Sequence, residues 1–234
     1  MTEAEWLGID PEPMLRSLRG EARDRKLRLF ATACCRSIWH LLPNEAARTV
    51  VLVAERFADG LATEGQLGLA EEEFSFAELE TGYSHDTYVA AVAQGAVEQL
   101  ARESDATFAR RTRRVVPNWS EQAYEAASGA LHGATFSILG STQRQEQQVK
   151  LSGFLRDIFG NPFRPVSVNL SWLTSEVRLL AEGIYQDRAF DRMPILADAL
   201  QDAGCDNEDI LTHCRQSGEH VRGCWVVDLL LGKT

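Results

Sequence analysis

The stretch DRKLRLFATACCRSIWHLL, residues 24–42, sets the class of fold. Leu27, Phe30, Ala31, Cys34, Ile38 and Leu41 recur at three- and four-residue spacing, the period that lines up one face of an α-helix for burial. Arg23, Arg25, Lys26, Arg28 and Arg36 fill the other side, as a solvated face or a contact for phosphate or an acidic partner. Cys34 and Cys35 are consecutive, so their side chains point about 100 degrees apart. That suits two small core residues better than a redox pair.

The same period continues in both directions. Upstream, Thr2 and Glu5 have capping-box spacing for a short helix carrying Trp6 and Leu7 toward the core, and Asp10-Pro11 opens a second that Gly20 ends. Downstream, Asn44 caps a helix through about residue 59, with Val50, Val51, Val53, Ala54 and Phe57 inward. A further helix starts at Thr63 and carries the acidic run Glu71–Glu73 with Glu78 and Glu80, an exposed edge or a docking surface for a basic partner. Helices follow from Ser84 to about residue 103, from Ser120 to about 139 and from about 143 to Phe159. The segment GNPFRPVSVN, residues 160–169, carries two prolines and reads as an extended connector. Beyond it lie a helix over about 172–186, with Thr174 capping its main body, another from Asp191-Pro194 to Ala203-Gly204, and a terminal helix ended by Gly232 that docks through Trp225, Leu229 and Leu230. With about nine to eleven helices and no period-two alternation, the class is all-α, with no sheet of consequence. The connector divides residues 1–159, a helical domain, from 160–234, a C-terminal helical subdomain packed on it; one continuous domain is the alternative.

The 234 residues, 44% of them hydrophobic, suffice to bury a core. A formal charge of -10 disfavours general nucleic-acid binding, which rests on basic surface. No charged and apolar leader opens the chain, and no run of about 18 apolar residues interrupts it, so a cytoplasmic protein with no membrane partner is expected. Five cysteines are too few for a disulfide scaffold, which leaves reduced thiols or metal ligands.

Chemistry gathers in AFDRMPILADALQDAGCDNEDILTHCRQSGEHVRGCWVVDLLLG, residues 189–232, which holds three of the five cysteines and two of the five histidines. If residues 220–231 are helical, His220 and Cys224 share a face and can chelate one ion. Zinc takes four borderline or soft ligands in a tetrahedron, so Cys205, Cys214, His220 and Cys224 would make a closed Cys3His site, with His213 as a substitute ligand. No CxxC knuckle is present, and Gly218 or Gly223 can break the helix that this spacing needs. Core burial of the cysteines is the alternative. Cys224, His220 and Asp228 also run along one helical face, but such a line rarely converges on a substrate atom, so no catalytic residue is assigned. Asp198, Asp202, Asp206 and Asp209 lack the calcium-loop pattern and read as solvated helix faces. Arg110, Arg111, Arg113 and Arg114 form the densest positive cluster and a candidate contact for an anion, a nucleic-acid backbone or a protein partner.

The strings DRKLRLFATACCRSIWHLL, LRDIFGNPFRPV, RMPILADALQDAGCDNEDILTHCR and HVRGCWVVDLLLGK make the chain resemble an uncharacterised planctomycete-type bacterial protein family, over the first 60 residues and the last 80. The resemblance implies a bacterial intracellular protein and transfers no catalytic residues. Similar terminal segments joined to unlike N-terminal regions suit a module that docks or regulates. Three functions therefore stand as expectations: a helical protein-interaction or regulatory module with no catalytic activity of its own, a zinc-binding protein with a C-terminal Cys/His site, structural rather than hydrolytic, and an anion or nucleic-acid contact through Arg110–Arg114.

Overall fold

The structure is a computed structural model that describes residues 1–42, 44–81, 119–136 and 141–233. Among the described residues the chain is all-α: eleven α-helices, three short 3-10 turns and no strand. The α-helices are α1 (Glu3–Trp6), α2 (Pro11–Ser17), α3 (Asp24–Ser37), α4 (Glu45–Ala58), α5 (Glu64–Thr81), α6 (Trp119–Phe136), α7 (Ser141–Phe159), α8 (Ser175–Asp187), α9 (Met193–Asp202), α10 (Glu208–Arg215) and α11 (Trp225–Leu231). The helix expected from Ser84 and the cluster Arg110, Arg111, Arg113 and Arg114 lie outside the described residues. None of the described helices is long and apolar enough to cross a membrane.

The helix boundaries follow the capping chemistry. The Thr2 N–H donates to Glu5 Oε2 at 2.7 Å and the Glu5 N–H donates to Thr2 Oγ1 at 3.3 Å, a reciprocal capping box. Asp10, Asn44, Thr174 and Asn207 each accept a first-turn N–H at α2, α4, α8 and α10. Trp6 is fully buried, but Leu7 is 57% exposed. Helix α1 ends at Trp6, so Leu7 leaves the buried side rather than sharing it.

The chain divides into two compact units, Met1 with Leu7–Ser152, and Thr2–Trp6 with Gly153–Thr234. In the first unit α3 packs on α4 and α6, α4 on α5, and α2 on α6. Leu27, Phe30, Ala31, Cys34 and Ile38 are buried, as the periodicity requires, whereas Leu41, in a 3-10 turn beyond the end of α3, is only half-buried; Cys35 is buried too, which pushes its thiol up to about 12. The basic side of α3 is tied down by acids of its own unit: Arg25 meets Asp59 at 3.0 Å and Arg36 meets the buried Glu55 at 2.9 Å. Arg36 also lies 5.2 Å from the Trp39 ring centre, a cation–π contact.

In the second unit α8 packs on α9 and α11, α9 on α10, and α10 on α11. Its core is Trp172, Val177, Ile184, Met193, Leu196, Leu200, Ile210, Val226 and Leu230, with Cys205 and Cys214 among them. The terminal helix docks on this core with Leu230 buried and Trp225 and Leu229 half-buried against it, as its spacing predicts, and buries Val226 and Val227 as well.

Helix α7 ends at Gly160, whose φ of +69° is the left-handed closure that favours glycine. Its carbonyl accepts the Trp6 indole N–H at 3.0 Å, and a Cβ there would sit 3.3 Å from Cγ of Trp225. Gly160→Ala should therefore cost about 1–2 kcal/mol of unfolding free energy in urea denaturation. Gly153→Ala, within α7 and with open space around its Cβ, should add about 0.5–1 kcal/mol. Equal stability of Gly160→Ala and the wild type would mean that this closure constrains nothing.

Candidate metal centre

The centre lies wholly within the second unit and starts from a buried carboxylate. Asp157 occupies the last turn of α7, at the edge of the apolar stripe formed by Leu151, Phe154, Leu155 and Ile158, and is 1% exposed. Helix C-termini carry partial negative charge, so an acid buried there needs strong compensation. Three donors supply it. Oδ1 lies 2.6 Å from His220 Nδ1 and 3.1 Å from His213 Nε2, and Oδ2 accepts the Val221 N–H at 2.8 Å. Burial pushes the Asp157 carboxyl up, but the hydrogen bonds and charges of His213 and His220 outweigh it and hold the group below the ordinary aspartate value.

The two imidazoles arrive by different routes. Asn207 caps α10 by accepting the Ile210 N–H at 3.0 Å, and His213 sits in the last turn of that helix on the side that also buries Ile210 and Cys214. His220 follows outside any helix. The Cys224 N–H then donates to the Val221 carbonyl at 3.0 Å, closing a turn in which Gly223 takes φ +93°. This turn replaces the helix over 220–231 that the His220/Cys224 spacing invites. Gly223 adopts the left-handed conformation, the helix starts only at Trp225, and the turn folds Cys224 back toward His220.

Cys224 Sγ is 3.3 Å from His213 Nε2 and 3.9 Å from His220 Nδ1. The imidazole rings meet edge to face with centres 4.9 Å apart, and the Trp225 ring lies 5.2 Å from that of His213. One ligand atom from each of Asp157, His213, His220 and Cys224 falls within 4.8 Å of all the others, so the group could hold a metal ion. The donor set can be tested against a tetrahedral ion. With metal–N and metal–O bonds of about 2.0–2.1 Å and metal–S of about 2.3 Å, ligand atoms stand about 3.3–3.6 Å apart along the edges of the tetrahedron. The four separations above, from 2.6 to 3.9 Å, straddle that interval. A carboxylate and a thiolate also neutralise a divalent cation, which a buried site requires.

A nucleophilic reading of the same residues fits poorly. Cys224 is fully buried, and burial first, then the Asp157 charge, push its thiol well above the ordinary value; the backbone amides of Val227 and Val226 oppose that rise without reversing it. A reactive thiolate needs access and a depressed value. The acid beside the imidazoles is Asp157 rather than Asp228, so the line Cys224–His220–Asp228 read from the sequence is not the arrangement present.

Of the predicted ligands, His220 and Cys224 belong to the group, and His213 takes a full place in it. Cys205 and Cys214 do not: both are buried among the apolar residues of the core, where burial first, with the charges of Cys205 and Asp157 adding, pushes the Cys214 thiol up to about 12. Asp157 was missed because it lies 63 residues from His220 in the chain. Its one sequence signal is an acid bordering an apolar stripe in the last turn of a helix, where the dipole disfavours it. Asp198 pairs with Arg215 at 2.8 Å and Asp209 lies 4.0 Å from Arg164, surface ion pairs rather than a calcium loop. No family model, curated protein or solved structure matches the chain.

Because the folded value of Asp157 is depressed, its contribution to stability is complete above the unfolded value of about 3.9 and is lost as pH falls through the folded one. In chelator, the stability gap between wild type and Asp157→Asn should narrow steadily as pH falls below about 4. A gap that widens on acidification would contradict the charge assignment.

Proposed function

We propose that the chain is a zinc protein whose second unit holds one ion at Asp157, His213, His220 and Cys224. The observation that carries this is the convergence of a carboxylate oxygen, two imidazole nitrogens and a thiol sulfur, from the end of α7 and from residues 213–224, all within 4.8 Å of one another. One thiolate and two imidazoles favour zinc over the oxygen-seeking magnesium and calcium. Four protein ligands fill the tetrahedron, so the role is structural. The ion would tie the end of α7 to the segment that enters α11, and its binding energy would become folding energy of this unit. The interaction-module and arginine-cluster functions rest on the sequence alone, and Arg110–Arg114 lie outside the described residues.

Wild-type protein purified under reducing conditions and dialysed against zinc should retain one equivalent per chain by elemental analysis. Cys224→Ser and His220→Ala should lose it, while Cys205→Ser and Cys214→Ser should keep it. Free zinc at a hundredfold above Kd should stabilise the wild type by about 2.7 kcal/mol, read as a drop in Tm on chelation. Retention of zinc by Cys224→Ser, or none bound by a folded wild type, would remove the proposal.

A further inference from the structure

The two ligand imidazoles are supported unequally. His220 Nε2 is buried and has no hydrogen-bond partner, whereas His213 Nδ1 lies 3.3 Å from Nε2 of Gln216. Gln216 is the C-cap of α10, with its own N–H donating to the Thr212 carbonyl at 2.9 Å, so the helix end fixes where its side chain starts. It stands three residues after His213, the spacing that places two side chains on one face of a helical turn.

Which proton His213 carries depends on what Gln216 offers. With the amide nitrogen toward the ring, Gln216 donates to Nδ1, and the neutral imidazole keeps its proton on Nε2, where it faces the Asp157 carboxylate. A metal needs the Nε2 lone pair, which moves that proton to Nδ1 and turns Nδ1 into a donor. An acceptor must then meet it. The Gln216 amide provides one by rotating half a turn, which exchanges N and O at almost the same positions. Resting on the zinc assignment above, we infer that Gln216 is a positioning residue for the metal: its carbonyl oxygen accepts from His213 Nδ1–H and holds the tautomer whose Nε2 is free to coordinate. Partners of this kind orient ligating histidines and raise their basicity, with effects of about 10–100-fold on metal affinity.

The test is a series at one position, read by zinc competition against a chromophoric chelator. Gln216→Glu, an obligate acceptor, should bind zinc about tenfold more tightly than wild type. Gln216→Ala should bind about tenfold more weakly, the lower end of the range because the side chain is exposed and water can replace it. Gln216→Lys, which offers only donors, should be weaker still. Ser217→Glu adds the same charge at the neighbouring position and should stay within about twofold of wild type, separating the hydrogen bond from the general field. The visible spectrum of the cobalt-substituted proteins should be unchanged across the series, since the ligands themselves are untouched. In imidazole nitrogen NMR, the loaded wild type should show His213 protonated on Nδ1.

If the wild type binds one zinc and all three Gln216 variants stay within about twofold of it, the role of Gln216 is refuted while the zinc site stands. The same holds if Ser217→Glu tightens binding as much as Gln216→Glu. A folded wild type that binds no zinc would overturn both.

Discussion

The second unit depends on keeping one carboxylate charged where neither solvent nor the helix that carries it helps. Asp157 is buried at the negative end of α7, and an isolated charge there would cost several kcal/mol. Two imidazoles and one backbone N–H converge on it, and each comes from residues 213–221. The chain from α10 to α11 is thus held to the end of α7 by polar contacts set within an apolar core. The neighbouring residues share that constraint. Gly160 has to close α7 without a side chain because Trp225 lies against it, and the Gly160 carbonyl anchors the Trp6 indole.

The same convergence makes hydrogen bonding and metal binding alternative uses of one set of atoms. In the first, protons on the imidazoles face the carboxylate and the thiol is kept protonated by burial. In the second, a divalent cation replaces those protons, and a thiolate with a carboxylate balances its charge. The geometry lies between the two. The 2.6 Å contact between Asp157 and His220 is short for a tetrahedral edge and the 3.9 Å contact between Cys224 and His220 is long for one, while the 3.3 Å contact between Cys224 and His213 is within the range of such an edge.

What the sequence conveys divides along the range of the forces involved. Helix class, the inward face of α3 and the caps at Thr2, Asp10, Asn44 and Thr174 depend on contacts within a few residues, and each is legible as spacing. The burial of Cys34 follows from the same period. The centre depends on a contact across 63 residues and on a turn. His220 and Cys224 are visible as a pair, but for the wrong reason: four residues apart suggests a helical face, whereas a glycine with positive φ brings them together. Cys205 and Cys214 look equivalent to Cys224 in composition and differ only in being directed into the apolar core. Asp157 sits in LRDIFG, a string whose apolar periodicity announces a helix and gives no hint of what its last turn will meet.

The central claim is that one thiolate, two imidazoles and one carboxylate share a single ion. X-ray absorption at the zinc edge of the loaded protein tests it most directly, because it counts ligand types without mutation. The account predicts one sulfur at about 2.3 Å and three nitrogen or oxygen atoms at about 2.0–2.1 Å. Two or more sulfurs would bring Cys214 or Cys205 into the shell, and a shell with no sulfur would place the ion elsewhere; either result would contradict the centre described.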